Sequence, residues 1–257
     1  MPYPVHPVHA GPDLPLRLQH ARASTKKMRI FFSGDREGYV RNHISYPKPK
    51  LPRLEVVNAI LQGMGEKALR VRGAADLDKL CAGGYVGKCL IMDQGEDCRI
   101  ADADWLKTLA TSDFFLCPPG FVMPMCHNAI ETMAVGAIPI ISYPEWFDPR
   151  LEHMKTCVEF KDKDDLLRTL NRLLELSEES IAQMRRHVID YYETHLRPES
   201  FVRRIESDRR GKITVLMITD ANTSRNASKL GARSILIRGT SARSRGWLTG
   251  FHNRHVA

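Results

Sequence analysis

The 257-residue sequence lacks any run of apolar residues long enough to cross a lipid bilayer. A membrane-spanning helix needs about 20 predominantly apolar residues, and a secretory signal needs a basic start followed by an apolar stretch. The opening sequence, Met-Pro-Tyr-Pro-Val-His-Pro, has neither feature. These absences argue against membrane and secreted proteins, so we expect a soluble, cytoplasmic protein.

Spacings typical of metal sites are also lacking. The six cysteines form no CxxC pair, and the ten histidines form no HExxH or HxxxH motif. Zinc sites usually take their ligands from such closely spaced pairs. Several of the cysteines lie inside apolar runs, where a free thiol behaves as a small hydrophobic group. We therefore predict no metal site, no disulfide framework and no cofactor.

The body of the chain has little excess charge, although the formal net charge of the protein is +8. Residues 211–257 carry eight Lys or Arg and one acid, so +7 belongs to this stretch and +1 to the rest. A domain that binds nucleic acid concentrates its basic residues on the folded surface. We therefore do not expect nucleic acid as a partner. Residues 208–257 are predicted to be a basic, partly disordered extension, with strand candidates at 213–219 and 234–237.

Short apolar runs alternate with segments of helical periodicity through most of the remaining sequence. Strands are predicted at 28–33, 88–92, 114–117 and 137–142, with a shorter one at 158–160. Helices are predicted at 53–64, 102–112, 128–135, 164–176, 178–194 and 199–206. Apolar runs without alternation, separated by helices, indicate a parallel sheet that is covered on both faces. The predicted fold class is α/β, a Rossmann-like parallel sheet with helices on both faces, followed by C-terminal helices.

The stretch from Asp113 to Ser142 joins two buried strands through a Pro-Pro-Gly loop, a helix and a glycine turn. The loop and the start of the helix should lie at the carboxyl edge of the sheet, where open α/β sheets bind ligands. A helix N-terminus there offers N–H groups and a positive dipole end to a diphosphate. Glu131, one turn into the helix, can accept both hydroxyls of a ribose. Alternatively, Asn128 and Glu131 form a capping box, which requires no ligand.

This stretch resembles the donor-binding signature of glycosyltransferases with two Rossmann domains, and most of all that of the exostosin-like family. The matching residues are Phe115-Leu116-Cys117-Pro118-Pro119-Gly120, Glu131 and Ala134-Val135-Gly136-Ala137-Ile138-Pro139-Ile140-Ile141. The resemblance implies that Glu131 holds the ribose of a nucleoside-diphosphate sugar, with Gly120, His127 and Asn128 beside it. The family usually has an arginine at the position of Asn128, so this chain departs from the pattern there.

A second match is weaker. The run Arg29-Ile-Phe-Phe-Ser-Gly-Asp35 resembles the opening strand and glycine turn of the same domain, with Gly34 at the turn. The resemblance implies that a basic residue after this turn reaches the diphosphate. The candidates are Arg36 and Arg41, with Tyr39 as a stacking group, although two arginines in a loop are often only solvated.

The loop that follows the last long strand, residues 143–148, contains a further candidate. Glu145 in this loop is placed to contact hydroxyls of a sugar. A packed aromatic turn, which needs no ligand, explains the same residues equally well.

The resemblance covers about residues 28–205 and implies a glycosyltransferase that moves a sugar from a nucleotide to a glycan or other acceptor. Positive charge and a helix dipole, in place of a metal, would assist departure of the nucleotide. We expect a linker without folded elements at 1–27, a donor domain at 28–207 and the basic extension at 208–257. The acceptor-binding domain, which precedes the donor domain in the family, is expected to be missing. The alternative is a non-catalytic Rossmann-like binding module whose basic tail contacts nucleic acid or another anion.

Overall fold

The computed structural model describes residues 5–35, 51–94, 100–120 and 124–207. A six-stranded sheet lies at its centre, in the order β2-β3-β1-β4-β5-β6, and every neighbouring pair of strands is parallel. The strands are β1 (Met28–Asp35), β2 (Ala68–Val71), β3 (Val86–Gln94), β4 (Ser112–Leu116), β5 (Ile138–Ile141) and β6 (Val158–Glu159). All residues of β4 and β5 are buried, as expected for strands covered on both faces. The predicted fold class is confirmed.

Helices surround this sheet. They are α1 (Leu14–Arg22), α2 (Arg53–Gly63), α3 (Ala74–Ala82), α4 (Asp102–Ala110), α5 (His127–Ala134), α6 (Lys163–Leu174), α7 (Glu178–Tyr191) and α8 (Pro198–Glu206). Helix α3 and the edge strand β2 were not predicted, and several other predicted ends lie one to three residues from those in the structure. Helix α6 carries an apolar stripe, since Leu166, Leu170 and Leu173 recur at helical spacing and are buried against the sheet.

The connections between strands place helices on both faces of the sheet. The β1–β2 connection crosses the sheet in one direction, whereas the β3–β4 and β4–β5 connections cross it in the other. Because crossovers between parallel strands are right-handed, the two directions put their helices on opposite faces. In agreement, α2 packs with α6, and α4 packs with α5.

The N-terminal segment is folded, so the prediction of a linker without folded elements is wrong for its described part. Residues 7–9 form a short 3₁₀ turn, and α1 follows at Leu14–Arg22. Leu18 and Ala21 are buried, and the Arg22 guanidinium donates to the Ala134 carbonyl at 2.8 Å. The helix is therefore held by tertiary packing, which local sequence patterns do not report. The predicted extension at 208–257 lies outside the described residues.

Candidate functional site

The carboxyl ends of β1 and β4 form a topological switch point. These two strands are neighbours in the sheet, yet the chain leaves β1 toward β2 and leaves β4 toward β5, on opposite sides. In open α/β sheets such a divergence creates the crevice in which ligands bind. The described chain after β4 continues through the buried residues Pro118, Pro119 and Gly120, and the Gly120 amide donates to the Pro124 carbonyl at 2.9 Å.

The first turn of α5 stands at this edge. The helix begins at His127, and the preceding residue, Cys126, provides no side-chain cap. Asn128 is thus the second helical residue and Glu131 the fifth, so the capping-box alternative is wrong. The N–H groups at the start of a helix lack intrahelical acceptors, which leaves this turn suited to an anion. His127 and Asn128 are both half-buried here.

Glu131 is buried inside the site, with 2% of its surface exposed. Its Oε1 accepts a hydrogen bond from the His6 backbone N–H at 2.9 Å, and its Oε2 accepts one from Trp105 Nε1 at 2.7 Å. His9 Nε2 lies 3.9 Å from Oε1. Both carboxylate oxygens are therefore engaged by the protein's own groups, and the proposed ribose contact stays a prediction.

The His9 imidazole beside this carboxylate belongs to a group of three histidine rings. The His6 ring meets the His127 ring edge to face at a centroid distance of 4.8 Å, and it lies 6.4 Å from the His9 ring. Burial lowers the pKa of His9 below its ordinary value, while the negative charges of Glu131 and Asp102 act in the opposite direction. His9 is therefore neutral over a wider range of pH than an exposed histidine.

Arg53 is a cation of this edge that the sequence analysis missed. It is the first residue of α2 and is only 7% exposed. The Arg53 guanidinium lies close to Gly34 near the end of β1, since a Cβ added to this glycine would lie 3.4 Å from Arg53 Nη1. Burial raises the pKa of both Cys117 and Tyr143, and the Arg53 charge opposes both shifts. The Arg53 charge therefore acts on the chain that follows β4 and on the chain that follows β5.

The signal that could have indicated Arg53 is its position at a helix start, on a connection that leaves the carboxyl edge. The basic residue that reaches the diphosphate was predicted to be Arg36 or Arg41 instead. These two residues and Tyr39 lie outside the described residues.

The loop after β5 is a packed aromatic turn, one of the two alternatives predicted for it. The rings of Tyr143 and Phe147 stack at a centroid distance of 6.4 Å with 14° between their planes, and both residues are buried. Glu145 lies in the short 3₁₀ turn between them and is half-buried. Its contact with a sugar stays a prediction.

Two observations concern other classes of site. The described residues contain no group of three His, Cys, Asp or Glu side chains placed to hold a metal ion. Among those residues, no helix combines the length and the apolar content needed to span a bilayer.

Neither a protein-family model nor a curated protein matches the sequence. Solved structures with a similar arrangement include Alr3699/HepE of Anabaena in complex with UDP, which is 12% identical with a TM-score of 0.43. That match covers 77% of this chain and 53% of the other. The complex of HepE with UDP and glucose gives 12% and 0.43, over 80% and 55% of the two chains. The N-terminal domain of trehalose-6-phosphate phosphatase from Candida albicans gives 12% and 0.41, over 77% and 46%. The chain thus spans about half the length of these structures.

Proposed function

We propose that the edge between β1 and β4 binds the diphosphate and ribose of a nucleoside-diphosphate sugar. In this proposal the protein is an exostosin-like glycosyltransferase that passes the sugar to an acceptor. The observation that carries the proposal is the first turn of α5, which opens at the switch point and leads directly to Glu131. A helix start for the diphosphate and a carboxylate for the ribose are the two elements that such a donor requires.

The proposed chemistry is electrostatic. The N–H groups of the first turn of α5 receive the diphosphate, with His127 and Asn128 beside it and Arg53 as a nearby cation. The charge on the diphosphate grows when the sugar leaves it. Positive groups that are already in place stabilise that charge without reorganisation, which accelerates transfer. Gly34 and Gly120 keep the backbone free of side chains where it approaches the ligand.

Four further residues complete the proposed site. Arg36 and Arg41 would reach the diphosphate from the β1 connection, and Tyr39 would stack on the ligand. Glu145 would contact hydroxyls of the sugar from the turn after β5. A cytoplasmic location, and transfer without a metal or cofactor, belong to the same proposal.

Calorimetric titration with UDP, GDP and their sugars tests the proposal. We expect the wild-type protein to bind at least one of them, and Glu131→Gln to bind it about 10-fold more weakly, because a charge-assisted hydrogen bond is lost. Glu152→Gln is a matched control, since Glu152 is an exposed glutamate paired with Lys155 outside the site. The proposal is overturned if no nucleotide binds either the wild type or a His6→Pro variant, which lacks the amide that donates to Glu131, and equal binding by Glu131→Gln would overturn the role of that residue.

Titration of the same protein with RNA or DNA distinguishes the alternative of a non-catalytic binding module. That alternative expects RNA or DNA binding that weakens steeply with salt and is lost when residues 208–257 are deleted. The glycosyltransferase proposal expects nucleotide binding that survives this deletion, because none of the described residues of the site lies in the extension.

A further inference from the structure

The N-terminal segment contacts Glu131, and the part that makes this contact is held differently from the helix that follows it. Residues 5–9, here called the cover, reach Glu131 through the His6 backbone N–H and meet His127 through the His6 ring. The following helix α1 is anchored by Arg22, which donates to the Ala134 carbonyl at 2.8 Å and to Glu193 Oε1 at 2.6 Å. The anchor of α1 is therefore independent of Glu131.

An exposed link separates these two parts. Residues 10–13, which include Gly11 and Pro12, are all exposed between the cover and α1. Within the cover, His6, Pro7 and Val8 are also exposed, whereas Val5 and His9 are buried. Opening the cover must release the bond from Arg17 of α1 to the His9 carbonyl and expose Val5, but it leaves the contacts of Arg22 in place.

The cover and a ribose need the same acceptors. A ribose diol donates two hydrogen bonds to a carboxylate, but Oε1 of Glu131 already accepts from His6 and Oε2 from Trp105. With 2% of the residue exposed, a ligand reaches this carboxylate only if the cover leaves. The donor from the cover is a neutral amide, which a hydroxyl group can replace in kind, whereas Oε2 has a further lone pair and can accept from a ribose while it keeps Trp105.

We propose that residues 5–9 are a displaceable, autoinhibitory cover that competes with the nucleotide for Glu131. This inference rests on the proposed donor site, and the structure represents the covered state. A ligand that binds only the uncovered state has its apparent affinity reduced by the fraction of molecules that are uncovered. Substitutions that open the cover must therefore strengthen nucleotide binding without touching the ligand.

His6→Pro and His6→Ala form the decisive pair of variants. The φ of His6 is −55°, a value that proline adopts, so His6→Pro removes the N–H to Glu131 without demanding a new backbone angle at this residue. His6→Ala removes the imidazole and its contact with His127 but keeps the N–H. We expect UDP, GDP or their sugars to bind about 10-fold more tightly to His6→Pro than to the wild type, within the usual range of coupling between two binding events. His6→Ala should change the affinity less.

Hydrogen exchange provides a second readout that does not depend on a variant. Adding the nucleotide that binds should accelerate exchange at the amides of residues 5–9 and leave α1 protected. Unchanged affinity in His6→Pro, or slower exchange of residues 5–9 with nucleotide bound, would overturn the cover. If neither the wild type nor His6→Pro binds any nucleotide, the donor site itself fails, and the cover fails with it.

Discussion

Two buried carboxylates lie at opposite edges of the same sheet, and their partners differ in charge. Asp113, at the amino end of β4, is bonded to Arg185 Nη2 at 2.6 Å and to the Tyr85 hydroxyl at 2.5 Å, with Arg29 Nη1 at 3.8 Å. At the carboxyl edge, Glu131 accepts from an amide and an indole. Arginines pair with the first carboxylate, whereas the second is held by neutral donors, and the His9 imidazole, whose pKa burial lowers, lies 3.9 Å from its Oε1.

The difference indicates different roles for the two edges. A buried carboxylate held by arginines is costly to open, because each charge left behind loses its partner. A carboxylate held by neutral donors can exchange those donors for the hydroxyls of a ligand without leaving a cation unpaired. Asp113 therefore fits a structural role and Glu131 a binding role, and the following substitutions test this contrast.

Asp113→Asn should have the largest effect on stability. The substitution keeps the shape of the side chain but leaves Arg29 and Arg185 without their counter-charge. We expect the free energy of unfolding, measured in urea, to fall by about 3 kcal/mol. Glu152→Gln breaks an exposed pair and should cost less than about 0.5 kcal/mol. If both substitutions lower the free energy of unfolding by the same amount, the pairing of Asp113 with Arg29 and Arg185 does not stabilise the fold.

Lys26, at the amino edge, should make stability depend on pH. Burial lowers its pKa to about 7, with the Arg185 charge acting in the same direction and Asp113 against it. In the unfolded chain the pKa of a lysine is about 10.4. Between these values the unfolded chain binds more protons than the folded one, so the free energy of unfolding rises as the pH rises from about 7 to about 10.

Comparing Lys26→Met with Lys27→Met isolates this contribution, because Lys27 is the exposed neighbour. Lys26→Met should reduce the rise in the free energy of unfolding between about pH 7 and about pH 10 by about 2 kcal/mol. This is less than the whole shift in the pKa of Lys26 implies, because water still reaches part of the side chain. Parallel pH profiles of urea unfolding for the two variants would contradict the assignment.

Elements with a strong local signal could be predicted from the sequence. Strands β4 and β5 consist of apolar residues that are buried on both faces, and α6 presents leucines at helical spacing. Helix α1 gives no such signal, because Leu14, Leu16 and Leu18 alternate as they would in a strand. Its helical state depends on contacts with distant parts of the chain, which a local pattern does not contain.

The place of Glu131 in the fold could be predicted from the sequence, but its contacts could not. The position of Glu131 near the start of a helix, after a buried strand, follows from local patterns alone. Its partners do not, since His6 is 125 residues away in the sequence and Trp105 is 26 residues away. The proximity of Arg53 to Gly34 likewise depends on how α2 returns to the end of β1. Sequence patterns locate the edge of a sheet, whereas tertiary packing decides which side chains meet there.

Trp105→Phe should lower stability less than Asp113→Asn and should have the most informative effect on binding. Phenylalanine keeps an aromatic ring against Phe115, whose centroid lies 5.7 Å from that of Trp105, but removes the N–H to Glu131 Oε2. We expect the free energy of unfolding to fall by about 1 kcal/mol, since Oε1 keeps its own donor.

The effects on nucleotide affinity should rank the other way, with a larger change for Trp105→Phe than for Asp113→Asn. In the proposed site, Trp105→Phe loosens the carboxylate that would hold the ribose, so the Kd for the nucleotide should rise about 3- to 10-fold, whereas Asp113→Asn should leave it unchanged in the folded protein. Trp146→Phe, in the turn after β5, controls for the loss of a tryptophan as such. If Trp105→Phe lowers stability without changing the Kd, then Glu131 is a structural carboxylate like Asp113, and the two edges differ only in the charge of their partners.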